Sequence, residues 1–356
     1  MIGIRLGTLF FFFMLAASPS FSSVARRDFF VESDHGIRLF VREVSQSVTP
    51  SPKGARSQPI LLIHGARVPG LASFDLPVAG GSLAEDFAER GFDVFIVDLR
   101  GYGKSTRPSG MDEPPSAHSP LVRSNEAVRD IAAVVDWIRD NRRVPKVALF
   151  GWATGGQWAG YYASLQPDRV AALIVLNSLY HGASPHPLIG RGSDMEDPAQ
   201  PDHFNQKACG AYRLNDADSL LGGWDRNIPE ANKSPWRDAA VAKAYVVAAL
   251  QSDSTSDTRM PPSFRSPCGA LEDSFYLAVG RQLWDASFIT APTLILASER
   301  DFWSRPEDRK NLAADLVHSV KVRTVVIPGA IHFVHLDRAE RGRALLLQEV
   351  ASFLAR

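Results

Sequence analysis

The chain has only two cysteines, Cys209 and Cys268, no surplus of either charge, and no apolar run long enough to cross a bilayer. Each shortage excludes something. The 39 basic and 39 acidic side chains cancel, and no block gathers the local Lys and Arg excess that a nucleic-acid surface needs. The short arginine groups at Arg139, Arg142 and Arg143 and at Arg338 and Arg341 flank expected helices and read as solvated faces. With so few cysteines and no His and Asp cluster beside them, a structural metal site has no support and no metal is expected. The apolar stretch Leu9 to Ala17 is shorter than the ~20 residues of a spanning helix. It follows Arg5 and precedes small residues up to Ala25, the three-part pattern of a secretory signal over residues 1–25. Cleavage is expected at Val24-Ala25 or a few residues earlier. The chain therefore reads as secreted or periplasmic, and an exported pair of cysteines suggests one Cys209–Cys268 disulfide, with two separate buried thiols as the alternative.

The 356 residues suit one large domain, or a catalytic domain carrying a cap. Phe29 to Val31 and Ile37 to Val41 flank Asp34-His35-Gly36 as a hairpin, and residues 45–58, rich in Ser, Pro and Lys, read as a loop. Apolar runs at Ile60-Ile63, Val94-Val97, Val147-Phe150, Val170-Leu176, Thr293-Ala297 and Val322-Ile327 predict buried strands. Between them lie helix-length spans, with Ala127, Ile131, Val134, Val135 and Ile138 at helical spacing. Ser304, Pro306 and Glu307 read as the start of another helix and Arg343 to Leu354 as the closing one. This alternation predicts an α/β fold with a mostly parallel central sheet and helices on both faces, built from residues 26–177 and 289–356. Residues 178–288 break the alternation and are too long for an ordinary loop. They read as a large inserted, mostly helical cap, with Trp236 to Leu250 and Leu271 to Leu283 as its clearest helices. Trp152, Tyr180, Trp224 and Trp284 are candidates to line a substrate pocket, although packing explains any single aromatic as well.

The chemistry is carried by Leu149-Phe150-Gly151-Trp152-Ala153-Thr154-Gly155-Gly156, where a strand turns sharply into a helix. This resembles the Gly-x-Ser-x-Gly nucleophile elbow of the α/β-hydrolase superfamily, with Ala153 where the serine stands. His64-Gly65-Ala66 looks like that family's oxyanion loop, which implies the Ala66 and Thr154 N–H groups as oxyanion donors, with His64 bracing the loop. Asp301 follows the Leu294 to Ala297 strand and resembles the family acid; Glu299 is its backup, and Asn177, after the preceding strand, is no acid. His332, in Gly329-x-x-His332-Phe333, matches the late histidine, ahead of His335. The resemblance implies a Ser-Asp-His esterase or lactonase in its serine form, needing no cofactor.

Ala153 has no attacking atom, so the chain as it stands is expected to be inactive or to trap substrate. A Ser-to-Ala change that retains substrate is the favoured account, and a naturally inactive ligand-binding pseudo-hydrolase predicts the same alanine. Thr154 is not expected to substitute, because its side chain leaves the elbow in another direction. Asp is the other residue that position 153 accommodates in this superfamily, as in epoxide hydrolases and dehalogenases. Thr154 stands where dehalogenases carry a halide-binding tryptophan, and Ala66 offers no halide contact. Amide or peptide hydrolysis ranks behind esters and lactones. The expected partner is a small or moderately hydrophobic ester or lactone, without nucleic acid or a stable membrane span; self-association is left open. Asn232-Lys233-Ser234 is formally a glycosylation acceptor.

Overall fold

The computed structural model describes residues 24–46, 58–186 and 188–355. The expected export segment lies outside the described residues except for Val24 and Ala25, which open the first strand, and most of the loop expected over 45–58 also falls outside. Strands β1 (Val24–Glu32) and β2 (Arg38–Gln46) form the expected hairpin. They are followed by β3 (Pro59–Ile63), α1 (Gly70–Phe74), α2 (Leu83–Glu89) and β4 (Asp93–Asp98). Next come α3 (Ser124–Arg142), β5 (Val147–Trp152), α4 (Thr154–Leu165) and β6 (Val170–Leu176). The insertion contains β7 (Glu196–Asp197), β8 (Gln200–Phe204), α5 (Gln206–Cys209), β9 (Tyr212–Asp216), α6 (Ala217–Asp225), α7 (Ala239–Gln251), β10 (Ser263–Pro267) and α8 (Gly269–Ala278). The chain then returns through β11 (Thr293–Arg300), α9 (Pro306–Asp315), β12 (Val322–Ile331) and α10 (Arg343–Leu354).

The main sheet has eight strands in the order β1-β2-β4-β3-β5-β6-β11-β12. Only the edge pairings β1 with β2 and β2 with β4 are antiparallel. From β4 to β12 every neighbour runs parallel. Such a sheet must be covered on both faces, and its strands divide their side chains accordingly. Ile60, Leu62, Val94, Ile96, Phe150 and Ile174 pack on one face with α2 and α10, while Leu61, Ile63, Phe95, Val97, Leu149 and Leu173 pack on the other with α3 and α4. Each Val, Leu or Ile buried in this way contributes about 1.5–3 kcal/mol, which is why these strands read as unbroken apolar runs.

Parallel strands all point the same way, so β3, β5, β6, β11 and β12 deliver their C-terminal ends to one edge. The inserted segment packs against the core there, with α7 against α1 and Trp224 of α6 and Tyr245 of α7 against Phe333. It is not helical throughout: β7 pairs with β8 and β9 with β10, both antiparallel. These short strands carry mixed polar and apolar residues, so no clean alternation announced them. The Cys209–Cys268 disulfide closes the insertion across 59 positions with its Cα atoms 6.1 Å apart. The start of α9 also differs in detail from expectation. Ser304 turns its hydroxyl and N–H to Asp301, Asp308 accepts from the Arg305 N–H at the helix start, and Glu307 takes the Ser184 N–H at 2.9 Å.

Candidate active site

Ala153 sits between β5 and α4 with φ 53° and ψ −121°, a region that residues with a Cβ avoid at a cost of about 1–3 kcal/mol. Its neighbours enforce the turn. The Ala153 N–H donates to Leu176 O at 2.8 Å and the Gly156 N–H to Ala153 O at 3.0 Å. A Cβ at Gly155 would lie 2.2 Å from Ile63 O, and one at Gly151 would lie 2.3 Å from Gly155 O. Both glycines are therefore required for α4 to start against β3.

The loop after β3 faces this turn; a Cβ added to Gly65 would meet that of Ala153 at 3.4 Å. His64 is fully buried, its Nε2 accepting from Leu99 N–H at 3.2 Å and its Nδ1 donating to Gly65 O at 2.7 Å. Burial pulls its pKa down to about 4, so the ring is neutral and acts as a brace between β3 and β4. The Tyr102 hydroxyl donates to Ala66 O at 2.9 Å and fixes the peptide that follows. Tyr102 is itself held by the turn after β4, where buried Asp98 accepts from Gly70 and Lys104 N–H groups and lies against Gly103. Thr154 opens α4, so its N–H has no carbonyl one turn earlier to reach.

Asp301 and His332 come together from the ends of β11 and β12. The His332 Nδ1 donates to Asp301 Oδ1 at 2.6 Å, and both side chains are buried. The carboxylate also accepts from the N–H groups of Trp303 at 3.2 Å and Ser304 at 2.8 Å and from the Ser304 hydroxyl at 2.5 Å. A carboxylate held in this way fixes the imidazole tautomer and leaves Nε2 free to exchange a proton with a ligand. Glu299 is turned elsewhere, accepting from the Gly329 N–H at 2.6 Å.

Asn177 also belongs to this arrangement, although it is no acid. At φ 53° its amide accepts from Ser298 N–H at 2.7 Å and donates to Ser298 Oγ at 3.0 Å and to His332 O at 3.2 Å. It ties the ends of β6, β11 and β12 together, and Trp152 Nε1 adds a donor to His332 O at 3.1 Å. An asparagine, a residue that tolerates positive φ, directly after a buried strand is the sequence signal that would have found it.

Ala66, Trp152, Ala153, Thr154 and His332 line one cavity of about 290 Å³. Asp301 supports it from behind His332. The aromatic expectations need correcting: of the four, Trp152 lines the cavity, whereas Tyr180, Trp224 and Trp284 do not. Trp284 packs beside Tyr180 and under Gly160 of α4, on the far face of the sheet. The Tyr180 hydroxyl is committed to Asp315, Gln282 and the Ala286 N–H. Trp224 is a layer behind, stacked on Phe333 at 5.3 Å with its indole N–H on Asp337. The aromatic rings that do reach the cavity include Phe302, Trp303 and Phe333, all within two residues of Asp301 or His332 in sequence.

With this geometry in place, the pattern of the alpha/beta hydrolase fold family matches residues 58–339, most of the chain. The chain belongs to that family. Among relatives of this α/β hydrolase, the (Lyso)-N-acylphosphatidylethanolamine lipases of Bos taurus and Homo sapiens are each 29% identical over 131 residues, covering 37% of this chain and 33% of theirs. Homoserine O-acetyltransferase of Acidiphilium cryptum is 35% identical over 98 residues, 27% of this chain and 25% of its own. The chain thus spans about a third or less of the length of these relatives. A laboratory-evolved variant of potato epoxide hydrolase superposes with a TM-score of 0.59 at 18% identity, covering 93% of this chain and 99% of that one. The thioesterase domain from the curacin biosynthetic pathway gives 0.58 at 17%, covering 93% and 100%. Likeness at these identities is likeness of fold. Among the described residues, no helix is long and apolar enough to cross a membrane.

Proposed function

We propose that this α/β hydrolase is built for carboxylic-ester or lactone hydrolysis by an exported Ser-Asp-His enzyme, and that Ala153 makes the present chain an inactive, substrate-retaining form. The observation that carries this reading is the His332–Asp301 hydrogen bond of 2.6 Å behind a cavity that Ala153 also lines. A strained turn, two oxyanion donors and an oriented imidazole are costly to maintain unless a carbonyl is to be held among them. With serine at 153, His332 Nε2 accepts the hydroxyl proton as Oγ attacks the carbonyl carbon. The Ala66 and Thr154 N–H groups bind the developing oxyanion, and His332 returns the proton to the departing alkoxide. Water then adds to the acyl carbon with the same imidazole as base, releasing the acid and regenerating the hydroxyl. The Cys209–Cys268 bond supports an oxidising compartment and hence export.

The test is turnover of A153S against a panel of esters and lactones. We expect it to exceed the Ala153 chain by about 10³-fold or more, since that chain lacks the nucleophile altogether. Absence of turnover throughout the panel would sink the hydrolase reading in favour of a ligand-binding pseudo-hydrolase. Epoxide opening by A153D alone would instead assign position 153 to an aspartate nucleophile.

A further inference from the structure

Arginines in this molecule are, for the most part, matched to acids: Arg42 to Asp28, Arg100 to Asp130, Arg237 to Asp225 and Arg265 to Asp253, for example. Of the arginines that no acid pairs, three line the cavity beside Ala153. Arg67 directly follows Ala66 in the oxyanion loop, Arg213 lies on β9, and Arg226 follows α6. Among the described residues, no carboxylate comes within 4.0 Å of any of their guanidinium groups.

Two of the three are nevertheless held in place. Arg67 Nε donates to Asn215 Oδ1 at 2.8 Å, and the Asn215 amide is anchored in turn on Ser266 Oγ at 2.9 Å. Arg213 Nε reaches the same Ser266 Oγ at 3.4 Å. A neutral amide and a hydroxyl therefore orient the two forks through Nε, while their terminal nitrogens have no acceptor among the described residues. Arg226 lies at the exposed rim, its guanidinium 5.4 Å from the centre of the Phe302 ring, which in turn is 4.5 Å from the His332 ring. The cations repel one another. Burial first, and then Arg67, pulls Arg213 down to about 10; burial likewise lowers Arg67, with Tyr245 and Asp216 opposing it and Arg226 adding to it. Gathering like charges without a directly paired acid is unfavourable in the empty protein and is relieved by an anion in the cavity. Leu188, Ile189, Met195 and Leu271 supply an apolar wall in the same cavity.

We infer that Arg67, Arg213 and Arg226 receive an anionic oxygen group, a carboxylate or a phosphate, that the ester or lactone carries apart from its scissile carbonyl. This deepens the ester-hydrolase reading and rests on it. The substrate is then amphiphilic: its carbonyl lies over Ala153, its apolar part on the aliphatic wall, and its anion in the arginine forks, whose paired N–H groups match planar oxyanions.

The Ala153 chain allows binding to be read without turnover. Calorimetry would compare monomethyl glutarate, its neutral counterpart dimethyl glutarate, and methyl 4-(phosphonooxy)butanoate. We expect an anionic ester to bind about tenfold or more tightly than the neutral one, as one or two charge-assisted hydrogen bonds predict. Whichever of the carboxylate and phosphate esters binds more tightly identifies the anion. The preference should collapse in Arg213→Met, return in part in Arg213→Lys, and shrink in Arg226→Met, whose exposed position keeps the fold safe. Arg237→Met, which breaks a paired arginine of the insertion, should keep the preference. Equal binding of neutral and anionic esters, or an undiminished preference in both Arg213→Met and Arg226→Met, overturns the inference. In the A153S form the same preference should appear in kcat/KM. An inactive A153S that still selects the anionic ester removes the hydrolase reading and leaves the anion site standing, whereas an active A153S indifferent to charge does the reverse.

Discussion

On the core side of the cavity, Ala153, Asp301 and His332 hang from strand ends, and each is fixed by hydrogen bonds to neighbouring strands or loops. On the insertion side, Arg213 and Arg226 reach into the same space, and the first is steered only by a hydroxyl at 3.4 Å. The floor is determined by the sheet, which must bring its parallel strand ends to one edge. The roof is determined by a stitched insertion whose two cavity-facing arginines lack carboxylate partners. On the proposed function, the floor sets which bond can be broken and the roof whose bond it is.

The largest effect that would sharpen this contrast concerns the floor. In the A153S background, Asp301→Asn should lower kcat by about 10⁴-fold while leaving the ester preference untouched, because the imidazole loses its tautomer and not its ligand. Steady-state kinetics on charged and neutral esters would check both halves. A change in preference as large as the change in rate would erase the division between floor and roof.

The roof should fail separately. Replacing Cys209 and Cys268 by serine frees a loop spanning 59 positions, which loop entropy sets at about 4 kcal/mol of lost stability. Limited proteolysis should cut the insertion first, and thermal denaturation should show the loss. Cleavage within the β3–β6 core at the same rate would contradict the picture of a separately secured roof.

The seam between the two gives a pH signature. Burial lifts Asp337 to about 7, against the Trp224 indole N–H that it accepts and against Arg237 and Arg341 nearby. The folded chain therefore holds a proton there that the unfolded chain, with an ordinary carboxyl near 3.8, gives up earlier. Stability from this group is full at low pH and is lost as pH rises towards and through 7. Asp337→Asn keeps the acceptor for Trp224 and has nothing to ionise. It should match the native chain below about pH 4 and exceed it by up to about 4 kcal/mol at about pH 8. Urea denaturation at both pH values would check the sign. His64, buried neutral, acts in the opposite direction as pH falls, so the difference between the two chains, not the native curve alone, is the informative quantity.

What could be read from the sequence follows the same division. Ile60 to Ile63 and Val147 to Phe150, short apolar runs set between turn signals, are most simply buried strands, and a parallel sheet then fixes where Ala153, Asp301 and His332 gather. The glycines at 151 and 155 declare the tight turn because no side chain fits there. The insertion offers no such rule. Its arginines are spaced like any surface residues, and Arg213 differs from Arg237 only in what the fold places beside it. The aromatic residues misled for a related reason: Trp224 and Trp284 are large enough to fill either a ligand pocket or a layer of packing, and only tertiary contacts decide. Arg67 was closer to view, because it directly follows His64-Gly65-Ala66.

The φ of 53° at Ala153 outlasts the identity of the residue that adopts it. Whatever stands there, its Cβ leaves the backbone in one direction and opens into the same chamber, since the turn is secured by its neighbours and not by its own side chain. The position works as a socket. A cysteine placed in it would present a thiol ready for alkylation beside His332, so a reporter or a synthetic catalyst could be attached at a point already surrounded by a binding chamber.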